Sequence, residues 1–176
     1  KIKYNKGFLM FKFFMIFLMM VLFCGCGGTY QYQVETPQEI TITKKIMGTV
    51  SFQVSAEEVY HHKLGINHYN LHVKDAIEKQ FSKSLAESFE GGLVKEKGDI
   101  HLMITALSTS TFPLKDIIND IRLFFRVEVF NENMQLQKTV TIYGFGTDPD
   151  GNIALAKAVA NMYYQLLPTL EELFIR

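Results

Sequence analysis

Residues 121–130, IRLFFRVEVF, alternate between two kinds of position. One parity is entirely apolar, and the other carries Arg122, Arg126 and Glu128. The apolar parity consists of Ile121, Leu123, Phe125, Val127 and Val129. A period of two, with β-branched and aromatic side chains, predicts a strand that is buried on one face. A strand of this kind needs a second layer to cover its apolar face, so this stretch predicts a layered fold built on a sheet.

The flanking segments extend this sheet in both directions. Asn131-Glu132-Asn133 is a turn sequence, and residues 134–146, MQLQKTVTIYGFG, are predicted to return as the hairpin partner. Residues 99–110 alternate on both faces and predict another strand, and residues 111–119 predict a loop. Residues 40–55 predict two strands, separated by Gly48. Residues 56–72 show no clear period, and we interpret them as a loop or a short helical turn.

Two segments have helical spacing. Residues 73–90 repeat apolar side chains every four positions and are followed by Gly91-Gly92, a typical helix stop. Residues 153–174 form the second, with a break in front of it at DPDGN, residues 148–152, and a kink or an early end expected at Pro168. The predicted order is β-β-α-β-β-β-α. It indicates an α+β two-layer sandwich, with a mainly antiparallel sheet of about five strands and two helices on one face.

The N-terminus has the three parts of a secretory signal peptide. Residues 1–12 carry four lysines and no acid, residues 13–23 are apolar throughout, and small residues follow. The apolar run is only 11 residues long, whereas a membrane span needs about 20. Its end, Leu22-Phe23-Cys24-Gly25-Cys26, resembles the bacterial lipobox, in which a small residue precedes the modified cysteine.

This resemblance implies cleavage before Cys26, a diacylglycerol thioether on its sulfur, and acylation of the new amine. Several acyl chains together hold a protein on a membrane, since each buried CH₂ contributes about 0.8 kcal/mol. Gly27, in place of an aspartate, favours the outer membrane, facing the periplasm. We therefore expect a signal peptide over residues 1–25, a lipidated Cys26 and flexible tether over 26–39, and a single domain over 40–176. The alternatives are a cleaved secretory signal and an uncleaved apolar anchor.

Composition excludes several classes of function. Four of the 18 basic residues and none of the 18 acidic residues precede Cys26, which leaves 14 against 18 and a net charge of −4 after it. A domain of this charge is not expected to bind nucleic acid. No cysteine follows Cys26, so the domain has no disulfide, thiolate metal site or cysteine nucleophile.

The segment HHKLGINHYNLH, residues 61–72, concentrates four of the five histidines: His61, His62, His68 and His72. A spacing of four would place His68 and His72 on one face of a helix, where they could share a metal. Gly65 and Asn67 argue against a continuous helix, so a solvated loop is the favoured interpretation. His101 lies beside Asp99, but no nucleophile is paired with them in sequence, and we expect neither an enzyme nor a cofactor.

An aromatic group lies along the two strands of the predicted hairpin. Phe124, Phe130, Tyr143 and Phe145 either form an exposed patch for a partner or lipid, or form core beneath the closing helix. We favour the core. Gly144 and Gly146 lie within the same strand and indicate a bulge or a close approach of another backbone.

The combination resembles the small lipoproteins of the YajG type and the auxiliary lipoproteins of envelope ABC transporters. The features that carry the resemblance are the lipobox, the glycine-terminated helix VKDAIEKQFSKSLAESFEGG and the strand DIHLMITALST, followed by a hairpin and a closing helix. It implies a non-enzymatic envelope lipoprotein that acts as an accessory or scaffold in envelope assembly or lipid transport, with an envelope protein as partner. The alternative is a periplasmic lipoprotein that binds a small ligand or metal through the His61–His72 segment.

Overall fold

The structure is a computed structural model that describes Met15 and residues 27–114 and 118–175. Seven strands and two long helices follow one another within the described chain. They are β1 (Thr29–Tyr32), β2 (Val50–Ser55), β3 (Tyr60–Leu64), β4 (Asn67–Leu71), α1 (Val73–Ser88), β5 (Ile100–Leu114), β6 (Ile118–Asn131), β7 (Leu136–Asp148) and α2 (Gly151–Phe174). Among the described residues, no helix combines the length and apolar character required to cross a bilayer.

The larger sheet contains four strands in the order β2-β5-β6-β7. Strands β5, β6 and β7 form an antiparallel meander, and β2 joins β5 in parallel. The alternation in 121–130 is confirmed, because the five apolar residues of this stretch are all fully buried. The predicted loop over 111–119 is mostly strand instead, since β5 continues to Leu114 and β6 starts at Ile118.

Both helices lie on the inner face of this sheet, the face that carries Phe125. Tyr163 of α2 meets Phe81 of α1 edge to face, with ring centroids 5.3 Å apart. The Tyr163 hydroxyl donates to Ser88 Oγ at 2.6 Å, which ties α2 to the last turn of α1. Asp150 begins α2, because its carboxylate accepts the backbone N–H of Asn152.

Gly144 and Gly146 allow α2 to lie close to β7. A Cβ on Gly146 would overlap the carbonyl oxygen of Ala154, and one on Gly144 would overlap that of Ala158. Of the two interpretations of these glycines, the close approach is therefore correct. The irregularities in strand register occur elsewhere, at Ala106/Ser108 and Val129/Phe130.

A second, three-stranded sheet has the order β1-β4-β3. Strands β3 and β4 form a hairpin over the segment that was expected to be a loop or helical turn, with Gly65 (φ +60°) in its turn. The prediction missed it because polar residues occupy most of both strands, and burial of Tyr69 and Leu71 against the rest of the domain supplies the stabilisation.

The architecture is α+β, but the sheet count differs from the expectation. The described chain forms one sheet of four strands and one of three, whereas a single sheet of about five strands was expected. Residues 40–46 form no strand, and only Ile46 makes an isolated bridge, to Phe89. Pro168 does not end α2, which continues to Phe174, with Leu166, Leu167 and Leu170 buried on either side of the proline. Packing of this apolar face compensates for the hydrogen bond that proline removes.

Candidate functional site

The folded domain starts close to the predicted anchor. Cys26 itself lies outside the described residues, as do residues 16–25. Strand β1 starts at Thr29, and the preceding Gly28 is already fixed, since its N–H donates to Asn67 Oδ1 at 3.1 Å and its carbonyl accepts the His68 N–H at 2.9 Å. The stretch from residue 29 onward is therefore not the flexible tether that was expected.

Tyr32 holds β1 against the larger sheet. Its hydroxyl lies 2.6 Å from Asn119 Oδ1 of β6, and its ring contacts Tyr69 at a centroid distance of 5.9 Å. Burial, with smaller contributions from Tyr69, Tyr30 and Asp150, raises the pKa of Tyr32 to about 12. The phenol is therefore neutral at physiological pH and can donate this hydrogen bond.

The four histidines of 61–72 do not meet on a helix face. His61 lies on β3, where its Nδ1 is 2.7 Å from Asn70 Oδ1. His62 lies on the opposite side of β3, with Nε2 3.3 Å from Thr109 Oγ1 of β5. His68 on β4 is opposite Lys63, and His72 precedes α1, with Nε2 3.2 Å from Gln31 Oε1. The rings of His61, His62 and His72 therefore bond to three different partners.

The helix face on which His68 and His72 would share a metal does not form, since His68 lies on β4 and His72 precedes α1. Within the described ranges, no three His, Cys, Asp or Glu side chains are grouped so that they could hold a metal ion. Burial, followed by the nearby His61, lowers the pKa of His62, which favours a neutral imidazole that bonds to Thr109.

One histidine pairing escaped the sequence analysis. His101 Nδ1 lies 2.9 Å from the oxygen of buried Ser51, which also accepts the N–H of Gly98 at 3.1 Å. The pairing depends on the parallel register of β2 and β5, which places Ser51 opposite His101. Asp99, in contrast, bonds to Thr49 at 2.6 Å, and these bonds lower its pKa. The Ser51–His101 contact therefore connects β2 to β5, while the nearby carboxylate of Asp99 bonds to Thr49 instead.

The outer face of the four-stranded sheet carries the most distinctive exposed residues. Its cross-strand rows can be read from the register. Three rows lie at one end of the sheet, each with one residue from β5, β6 and β7 in that order. They are Phe112–Asp120–Thr147, Ser110–Arg122–Phe145 and Ser108–Phe124–Tyr143. We call Phe112, Phe124, Tyr143 and Phe145 the outer aromatic patch. Their exposed fractions are 48%, 41%, 56% and 52%.

A tilted ring contact and an ion pair organise this patch. The rings of Phe124 and Tyr143 are 6.2 Å apart with an interplanar angle of 36°, and Arg122 lies over the Phe145 ring at 5.8 Å. Arg122 also donates to both oxygens of Asp120, at 2.9 and 3.2 Å. These bonds raise the pKa of Arg122, so its guanidinium stays charged beside the Phe145 ring.

The prediction that these aromatic residues belong to the core is wrong. The register directs Ile142, Gly144 and Gly146 towards α2 and the intervening Tyr143 and Phe145 away from it. Phe130, grouped with them in the sequence, lies at the other end of the sheet beside His101, at 6.4 Å between ring centroids. The two glycines were the available signal, because a helix can approach closely only on the side where side chains are missing.

No protein-family model matches the chain, and no curated protein matches it in sequence. Solved structures do resemble it. One is the crystal structure of protein XCC0632 from Xanthomonas campestris, described under the family model DUF330, with 9% identity, a TM-score of 0.54, and 84% of this chain and 95% of that chain covered. A second, of an uncharacterised protein, has 11% identity and a TM-score of 0.48 over 84% and 99% of the two chains. The first likeness shows that this α+β fold also occurs in a bacterial protein.

Proposed function

We propose that the chain is a bacterial envelope lipoprotein, anchored through Cys26 in the outer membrane, and that its domain acts without catalysis as an accessory or scaffold in envelope assembly or lipid transport. The observation that carries the proposal is the N-terminal sequence: four lysines, an 11-residue apolar run and Leu22-Phe23-Cys24-Gly25-Cys26. The fold likeness to a bacterial protein is compatible with this origin.

The described surface supports a role in binding rather than in catalysis. Its exposed aromatic side chains lie on the face of an open sheet, a shape that suits docking to another surface more than enclosure of a small substrate. The histidine segment, on which a metal- or ligand-binding role was based, has three of its four rings bonded to separate partners.

The anchor is tested by mass spectrometry of the N-terminal peptide from bacterial membrane fractions. We expect a triacylated Cys26 in the native chain. The Cys26→Ala variant should carry no acyl mass and should keep its signal segment. Cys24→Ala is the matched control, since Cys24 is removed with the signal, and its mature product should be identical to the native one. A cleaved, unmodified, soluble native product would contradict the proposal.

The accessory role is tested separately by crosslinking in intact cells. A photoreactive residue at Tyr143 should label envelope phospholipid, which a role in lipid transport would bring to this face, whereas one at Thr139, on the same strand and face, should not. Equal labelling from both positions would argue against a dedicated surface.

A further inference from the structure

We propose that the outer aromatic patch docks on the phospholipid surface to which the chain is anchored, so that the domain lies against the bilayer with Phe112, Phe124, Tyr143 and Phe145 at the headgroup boundary. The inference deepens the proposed function and rests on its lipid anchor at Cys26.

The first argument is the length of chain between the anchor and the fold. Tyr32 is six residue steps from Cys26, and an extended chain spans at most about 3.5 Å per residue, so the two lie within about 21 Å of each other. Because β1 is already strand from Thr29, only a two-residue connection separates the lipidated cysteine from the folded domain. The domain cannot move far from the bilayer.

The second argument is the position at which the N-terminal strand is attached to the four-stranded sheet. Tyr32 bonds to Asn119 of β6, whose side chain has the inward parity of Ile121, so β1 meets this end of the sheet from the side on which the helices lie. The N-terminal strand is therefore attached to the same end of the four-stranded sheet that carries the outer aromatic patch. Thr139 and Glu128 occupy a row further along the sheet.

The third argument is the chemistry of the patch. Tyrosine is enriched at membrane–water interfaces, exposed phenylalanine rings supply apolar area that can enter the headgroup boundary, and arginine keeps its charge in the headgroup layer while its stem lies along apolar groups. Arg122 is paired with Asp120, and Arg126 lies 3.8 Å from Glu128, so both arginines on this face have acidic neighbours. A face of this balance fits zwitterionic as well as anionic lipids, and its binding should depend little on salt.

A bilayer fits better than a second copy or a protein partner because the anchor keeps it within reach at all times. A tethered surface has a high effective concentration, so even a weak aromatic contact is populated. A patch of four aromatic side chains is small for a stable protein interface, which usually takes about 20 residues on each side.

The test uses single-tryptophan variants of the full lipidated chain, which has no natural tryptophan. Phe145→Trp reports on the patch, and Thr139→Trp, exposed on the same strand and face, is the control. Each is reconstituted into vesicles of phosphatidylethanolamine and phosphatidylglycerol that contain brominated phosphatidylcholine. We expect Trp fluorescence of the Phe145→Trp variant to shift to the blue and lose more than half of its intensity, with no such change in the Thr139→Trp variant.

The outcomes separate the two proposals. If the protein floats with the vesicles and carries acyl chains, but the two variants are quenched equally or not at all, docking is overturned and the lipoprotein assignment stands. If the chain carries no acyl mass, both fall. If the Phe145→Trp emission shifts to the blue in lipid-free detergent solution as protein concentration rises, a second copy covers the patch and docking is again overturned.

Discussion

One face of the four-stranded sheet is buried and the other is exposed, although neighbouring phenylalanines lie on both. Phe125 faces inward and is fully buried, whereas Phe124 faces outward and is 41% exposed. Helices α1 and α2 cover the inner face, and no described element covers the aromatic end of the outer face. The comparison teaches that apolar character alone does not identify core. The parity within the strand decides it, together with the side on which the helices lie.

Truncation of Phe124 and of Phe125 should give the largest difference in stability between the two faces. Phe125→Ala removes a fully buried ring and should lower the free energy of unfolding by about 3–5 kcal/mol. Phe124→Ala removes an exposed ring and should cost about 1 kcal/mol or less, because it loses mainly the contact with Tyr143. Urea unfolding of both variants measures the difference, and similar losses would show that the outer face is also covered.

Substitution of Gly146 tests the inner face of the sheet, where β7 packs against α2. In Gly146→Ala, the new Cβ would overlap the Ala154 carbonyl and lie 2.7 Å from the Ala158 N, so α2 must move away from β7. We expect a loss of about 1–3 kcal/mol, seen as a lower midpoint of thermal unfolding. Thr141→Ala, on the exposed side of the same strand, is the control and should change stability by about 0.5 kcal/mol or less. An unchanged Gly146→Ala variant would show that the helix is not held close to the strand.

Alkaline pH should weaken the junction between β1 and the sheet, and the loss in free energy of unfolding should be smaller than that of the core substitutions. Because the folded pKa of Tyr32 is raised to about 12 from an ordinary value of 10.0, its contribution to stability is complete below pH 10 and is lost as the pH rises to about 12. Tyr32→Phe should lose about 1 kcal/mol at neutral pH, with the hydrogen bond to Asn119, and should show a shallower decline above pH 10.

The measurement is the free energy of unfolding in urea at several pH values between 8 and 12. Tyr163, whose pKa burial also raises, titrates in both proteins, so the difference between them isolates Tyr32. Parallel curves for the two proteins would contradict the assigned role of Tyr32.

Much of the larger sheet was predictable because its signal is local. The alternation in 121–130, the turn at 131–133 and the four-residue spacing of 73–90 each specify an element without knowledge of its neighbours. The small sheet was not predictable in the same way. Strands β1, β3 and β4 are short and polar, and only their pairing with one another and the burial of Tyr32, Tyr69 and Leu71 stabilises them.

The same distinction between local signals and long-range contacts applies to the candidate sites. The aromatic residues were recognised from the sequence but were assigned to the wrong side, since nothing local indicates which face of a strand a helix covers. The Ser51–His101 contact joins residues 50 positions apart, and it depends on parallel register that no hairpin specifies. The histidine segment had a helical spacing, but its strands place successive rings on opposite sides.

By itself, the sequence determined the α+β class, the inward parity of β6 and the prediction of a lipid anchor at Cys26, because each depends on side chains close together in the chain. The tertiary structure alone decided that two sheets form, that β1 joins the domain from Thr29, and that the aromatic residues around Arg122 remain exposed. These outcomes depend on contacts between distant segments, such as Tyr32 with Asn119 and Gly146 with Ala154, whose free energy is gained only when the whole chain is packed.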